Sequence, residues 1–368
     1  MTYEIGKLNH VTLLGPIAAA EDALARLDER VARSEVGAGY AERADFFDSI
    51  SSMWVAGELV HIEDLVLHDA QMDIRAPSHE LVIAHRIVRA RRRVSRNDPG
   101  WAVSRSGIMA LAGVAEEPAA ETESVDGGGE VVELDLVDHD ALSPELAEID
   151  EVLARTKWLV DCNEPAEPRK QEPELSVGEL LVRDPDWDEG ERIGEWLELA
   201  KNVERLPTTL AAALLWDAWE HLEPLQRQHW LGQVLVSDFL RARAKVRSHL
   251  LAFAVGLREI PRERRRARDR MTRLVAFLDA ISAAAAAGMK DIDRLTLAKR
   301  QLERKAAGRR TTSSLPVAVD LLMSRPIVSA HMVAKAARIT PRGALNLVGE
   351  LGVREMTGRG RYRAWGIL

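Results

Sequence analysis

Cysteine is almost missing from this chain: Cys162 stands alone among 368 residues. That excludes an intramolecular disulfide and a multi-thiolate zinc site, and it fits a reducing compartment. Aromatic residues make up only 5%. Met1 to Lys7 lacks the basic-then-apolar run of a signal peptide, and no uncharged apolar stretch approaches the roughly 18 residues of a membrane helix. The expectation is a cytoplasmic chain with no membrane partner. There is no Walker loop, dinucleotide fingerprint or nucleophile elbow, and Cys162 follows Asp161, a setting that disfavours a thiolate. No cofactor is expected. What the chain has in quantity is Ala, Leu, Glu and Arg, whose side chains lose little freedom in a helix, so a mainly α fold is predicted.

The net charge of −8 hides a division. Residues 241–368 hold 28 Lys and Arg against 10 Asp and Glu, whereas 1–240 hold 22 against 48. A phosphate backbone would attract the first part and be repelled by the second. Arginines on long helices also serve as plain solvated faces, so charge alone does not define a partner.

Four segments emerge. An N-terminal helical domain spans 1–112, with a helix over 17–34 started by Pro16 and carrying Leu24, Leu27 and Val31 on one face. Further helices are read over 41–70, after a break at Gly37 and Gly39, and over 78–93. Arg89, Arg91, Arg92, Arg93 and Arg96 close the last one, where cations complement the helix dipole. An acidic, partly flexible linker spans 113–189, with 14 acidic residues and no Lys or Arg between 115 and 154. A central helical domain covers 190–310. Its stripes through Ile193, Trp196, Leu197 and Ala200, through Leu210 to Trp219, and through Leu231 to Leu240 read as core. A helix over 271–287 is expected to close at Gly288, with Asp291 capping its successor.

Residues 311–368 carry the most specific pattern. A short helix over 315–324 is broken by Arg325-Pro326. Ser329 caps a second helix over 330–337, with Met332, Val333 and Ala336 inward. After a tight turn at Arg338 and Ile339, Thr340 and Pro341 start a third, with Leu345, Val348 and Leu351 inward and Gly352 as its stop. Residues 353–356 and 361–365 alternate around Thr357-Gly358-Arg359-Gly360, a hairpin pattern in which Tyr362 and Trp365 pack inward. Three helices and a hairpin predict a winged helix-turn-helix. Arg338, Thr340, Arg342, Gly343 and Asn346 are its candidate duplex contacts, with Arg359, Arg361 and Arg363 on the wing. Arginine reads guanine and asparagine reads adenine from the major groove. Arg262, Arg265 and Arg266, on a helix over 261–270, are candidate secondary phosphate contacts, set against pairing of Glu263 with Arg266 and Asp269 with Arg265.

The stretches Ala20 to Asp28, Gly57 to Ala70 and Val319 to Trp365 resemble a helix-turn-helix family built on a domain of unknown function and often carried on rhizobial plasmids. That resemblance implies a C-terminal DNA-binding domain and no established activity. The chain more remotely resembles Fic-domain proteins, which have a His-Pro-Phe-x-x-Gly-Asn-Gly-Arg catalytic loop. The nearest stretch here, His221 to Gly232, lacks the Gly-Asn-Gly-Arg core, so a phosphate nest cannot be built and adenylyl transfer is not expected.

The fold class expected is therefore mainly α, a multi-helix bundle with a degenerate Fic-like character and a C-terminal winged helix-turn-helix. The function expected is non-enzymatic: duplex DNA binding in transcriptional regulation, with homodimerisation suggested by paired half-sites. The alternative is an adaptor whose acidic helical body binds a protein partner. A divergent nucleotide-handling enzyme around His221 and His229 is the third reading. His61 and His68, seven apart with Asp64 between them, arise by chance on many amphipathic helices and are given no metal.

Overall fold

The computed structural model describes residues 3–72, 76–113, 187–306, 314–357 and 363–367. Nearly all of the acidic linker, with Cys162, lies outside the described residues, as do Thr311 to Ser313, Arg359, Arg361 and Tyr362. The described residues belong to one compact unit.

Helix α1 (His10–Arg33) starts earlier than Pro16 would dictate. The Asn9 side chain accepts the N–H of Val11 at 3.1 Å, fixing the start there, and Pro16 lies inside the helix. The expected single helix over 41–70 is two: α2 (Gly37–Ala56) and α3 (Ile62–Asp69). Gly57, at φ +99°, ends the first of them in a backbone conformation that side chains with a Cβ avoid. Gly37 and Gly39 lie within α2, not in a break before it. Helix α4 (His79–Arg96) begins at the expected cap, Ser78, and α5 (Arg105–Leu111) follows Ser104, which accepts the Gly107 N–H. His61 sits at the extended cap position of α3, so it does not share a helix with His68.

After the acidic segment come α6 (Glu189–Asn202), α7 (Thr208–Leu222), α8 (Leu231–Ala242), α9 (Phe253–Glu259), the single turn α10 (Arg262–Arg265) and α11 (Arg270–Ala306). The expected helix over 261–270 is thus only one turn. Asp269 instead caps α11, accepting the Thr272 N–H at 2.9 Å. Trp196, Trp216 and Trp219 are buried, as their stripes predicted. Trp196 and Trp219 meet edge to face with centroids 5.5 Å apart.

Helix α11 is the spine against which α1 and α9 pack. By length and composition it could cross a membrane, but half of its most apolar stretch is buried in the protein, including Leu274, Phe277, Leu278 and Ile281. It does not stop at Gly288. That glycine is an ordinary helical residue retained for close approach: a Cβ there would fall 2.3 Å from Tyr40 Oη and 3.0 Å from Leu27. Asp291, inside the helix, pairs with Arg294 at 2.5 Å and caps nothing.

A buried polar cluster ties α2, α4 and α9 together. Arg91 is fully buried, donating from Nε to Asp45 at 2.8 Å and from Nη1 to Asp48 at 2.6 Å, and it also reaches the Leu250 and Leu251 carbonyls. The basic end of α4 is therefore more than a dipole complement.

Candidate nucleic-acid interface

The C-terminal elements are α12 (Leu315–Ser324), β1 (Ile327–Ser329), α13 (Ala330–Ala337), α14 (Pro341–Leu351) and β2 (Ala364–Gly366). Local chemistry sets each boundary. Ser329 accepts the Met332 N–H at 3.2 Å, and Thr340 accepts the Gly343 N–H at 3.1 Å ahead of an N1 proline. Arg338 adopts the left-handed conformation, φ 52°, and turns the chain between α13 and α14. Gly352, at φ 57°, ends α14.

Two inward assignments change. The buried stripe of α14 is Ala344, Val348 and Leu351, spaced four and three apart, and Leu345, rotated by one residue, is 41% exposed. In α13 the buried residues are Met332, Val333 and Ala334, while Ala336 is exposed. The sheet is also larger than a hairpin. β1 pairs antiparallel with β2, Val328 opposite Trp365, and Glu355 bridges the other side of Trp365. The Met356 N–H donates to the Ala364 carbonyl at 2.8 Å. Trp365 is buried, as predicted.

The outer surface of α14 carries Arg342, Leu345, Asn346 and Gly349, all exposed. Arg342 and Asn346 form no hydrogen bond or ion pair with any described residue, and a Cβ on Gly349 would meet nothing within 4 Å. Thr340 has a capping role, and Gly343 packs close to it. Arg338 is exposed in the turn, and Lys335 is exposed on α13. Arg363 is exposed but engaged: Nη2 lies 2.6 Å from Glu355, which raises its pKa, and the guanidinium sits over Trp365. It braces the sheet.

A buried cation helps to dock this small domain on the body. Arg43 of α2 donates to the carbonyls of Leu322 at 3.3 Å, Arg325 at 2.6 Å, and Ile367. It thereby meets the negative end of α12 and the chain beyond β2. Burial lowers its pKa to about 10. Lys305, near the end of α11, donates to the Leu351 carbonyl at 2.7 Å. Neither contact covers the outer face of α14.

Away from this domain, Arg265 and Arg266 share a cavity with Glu220 and Glu223, and burial raises the Glu220 pKa against the pull of both arginines. The ion pair formed nearby is Arg264 with Asp279 at 2.6 Å, in place of the two expected from sequence. Arg262 is exposed. His68 packs edge to face on His85, and among the described residues no three metal-ligating side chains come together.

Residues 315–368 match the family described as HTH DNA binding domain, and residues 181–307 match the protein of unknown function DUF1612. The chain thus carries a helix-turn-helix DNA-binding domain. It is 42% identical to the uncharacterized protein y4cF of Sinorhizobium fredii over 388 aligned positions covering all of both chains, and it belongs to that family. The fold resembles a Fic family protein from Desulfovibrio desulfuricans G20, with TM-score 0.49, 12% identity, and coverage of 99% of this chain and 98% of that one.

Proposed function

We propose that this protein is a sequence-specific duplex-binding regulator of transcription that catalyses no reaction and works in the cytoplasm, where bacterial DNA lies. The observation that carries the reading is the free outer face of α14. Arg342 and Asn346 stand exposed, one turn apart, and uncommitted on the helix that follows the turn. On a major-groove edge Arg342 serves as a fork for guanine and Asn346 for adenine. Leu345 between them offers an apolar surface to a thymine methyl. Arg338 and Lys335 supply phosphate contacts from the preceding turn and helix. The sheet formed by β1, β2 and the Glu355 segment is the base of a wing, and Arg359 and Arg361, which follow Glu355 in the sequence, are its candidate duplex contacts. Arg363, exposed and following them in the sequence, is held in place by Glu355 and Trp365.

Genomic fragments selected by the full-length chain test the proposal. Enrichment of one short motif, with binding that weakens steeply as salt rises, is expected. Selection yielding no common motif would overturn it and favour the adaptor reading, in which the acidic helical body meets a protein. Two motif copies about one helical turn apart would indicate a homodimer.

A further inference from the structure

Beside the docking point of the C-terminal domain lies a cavity of about 450 Å³ walled by α2, α4, the end of α8, the segment joining α8 to α9, and Arg325. Five arginines line it: Arg92, Arg96, Arg241, Arg247 and Arg325. The acids in its wall are Glu42 and Asp45, and Asp45 is already taken by Arg91.

The arginines are far from neutralised. Arg92 is held by Asp69 through two hydrogen bonds, at 2.5 and 2.9 Å. Arg241 donates to the Val94 carbonyl at 2.9 Å, an uncharged partner, and lies 3.8 Å from Asp238. Arg325 Nη1 is buried without a hydrogen bond, its nearest acids being Glu42 at 3.6 Å and Asp69 at 3.9 Å. The side chains of Arg96 and Arg247 make no hydrogen bond or ion pair with any described residue. Like charges gathered in a recess repel, and that repulsion is relieved when an anion enters.

His249 also lines the cavity but has no proton to offer an anion from Nε2. Ser248 Oγ donates its one proton to Asp28 at 2.7 Å, so at 2.9 Å it accepts from His249 Nδ1. The tautomer is thereby fixed, and the buried Nε2 is a lone pair with no donor.

We propose that this cavity binds a small molecule bearing at least two phosphate or carboxylate groups, gripped by the guanidinium forks of Arg96, Arg241, Arg247 and Arg325. The fork geometry matches either group. A small anion fits better than duplex DNA because the recessed side chains of Arg92, Arg241 and Arg325 are only 23%, 15% and 24% exposed. A duplex backbone reaches only the rim, at Arg96 and Arg247. Because Arg325 follows the last turn of α12, the ligand touches the C-terminal domain directly.

Isothermal titration of the full-length chain with pyrophosphate and with citrate, against acetate at matched ionic strength, tests this. Saturable one-to-one binding of pyrophosphate, citrate or both is expected, and which of them binds separates phosphate from carboxylate chemistry. The rim variant Arg96→Ala/Arg247→Ala should keep its thermal melt and weaken that binding tenfold or more. No saturable binding of either probe, or binding unchanged in the rim variant, would overturn the proposal. A rim variant that loses duplex affinity while neither probe binds would assign these arginines to DNA instead, and would also overturn it.

Discussion

Arg91 Nη1 and Asp48 Oδ2 lie 2.6 Å apart with both side chains out of solvent, and the other Asp48 oxygen accepts the Ala254 N–H at 2.7 Å. One carboxylate therefore neutralises the guanidinium of α4 and also satisfies a free donor in the first turn of α9. Burial drives the Asp48 and Asp45 carboxyls upward in pKa while Arg91 pulls against it. The cluster holds three helices in one arrangement.

Arg91→Ala should destabilise the protein by about 3–5 kcal/mol, because it strands two buried carboxylates. Urea denaturation checks this. A loss under 1 kcal/mol would mean that water reaches Asp45 and Asp48.

His249 makes stability depend on pH. Burial lowers its pKa to about 4, with Arg91 acting in the same direction and Asp28 opposing. Its unfolded value is near 6.5. Between these limits the unfolded chain binds the extra proton. This contribution, about 3 kcal/mol at most, is therefore complete above pH 6.5 and lost as pH falls toward 4. Denaturation of the wild type and His249→Gln across that window should show the variant's slope reduced. Asp28 and Asp69, whose pKa values are lowered, add their own losses further into acid.

Gly288→Ala separates two explanations of one glycine. A helix-ending glycine would be strained by alanine through its φ, whereas here the added Cβ collides with Tyr40 Oη and Leu27. A loss of about 1–3 kcal/mol is expected. Tyr40→Phe in the same background should recover part of it, a rescue that backbone strain would not show.

Arg43→Met should loosen the C-terminal domain from the body while each keeps its helices. Three carbonyls lose a charged donor, at about 1–3 kcal/mol for each that stays dry. Hydrogen exchange should quicken at residues 321–325 with little change in helical circular dichroism. Unchanged exchange would contradict the docking role.

How much of this was readable from the sequence follows the range of the interactions. Ser78, Ser329, Thr340-Pro341 and Gly352 act on neighbours within four residues, so the start of α4 and the helix-turn-helix boundaries were legible. Strand β1 was not, being three residues long with its partner, β2, far along the chain. Arg91 looked like its four arginine neighbours because Asp45 and Asp48 precede it by more than 40 residues. Gly288 was legible as a glycine but not as a crossing point, since Tyr40 and Leu27 come from distant helices. The sequence reading puts Leu345 inward, although the spacing of Ala344, Val348 and Leu351 offers the buried stripe observed. Arg363 was legible as a cation but not as the partner of Glu355, which it meets although eight residues separate them.

Base preference at the selected site tests the central claim most directly. Arg342→Ala should weaken binding to the selected duplex by about 1–3 kcal/mol and, on duplexes substituted at the guanine it reads, lose the discrimination shown by the wild type. Equal weakening on every duplex, with discrimination intact, would contradict the claim that α14 reads bases.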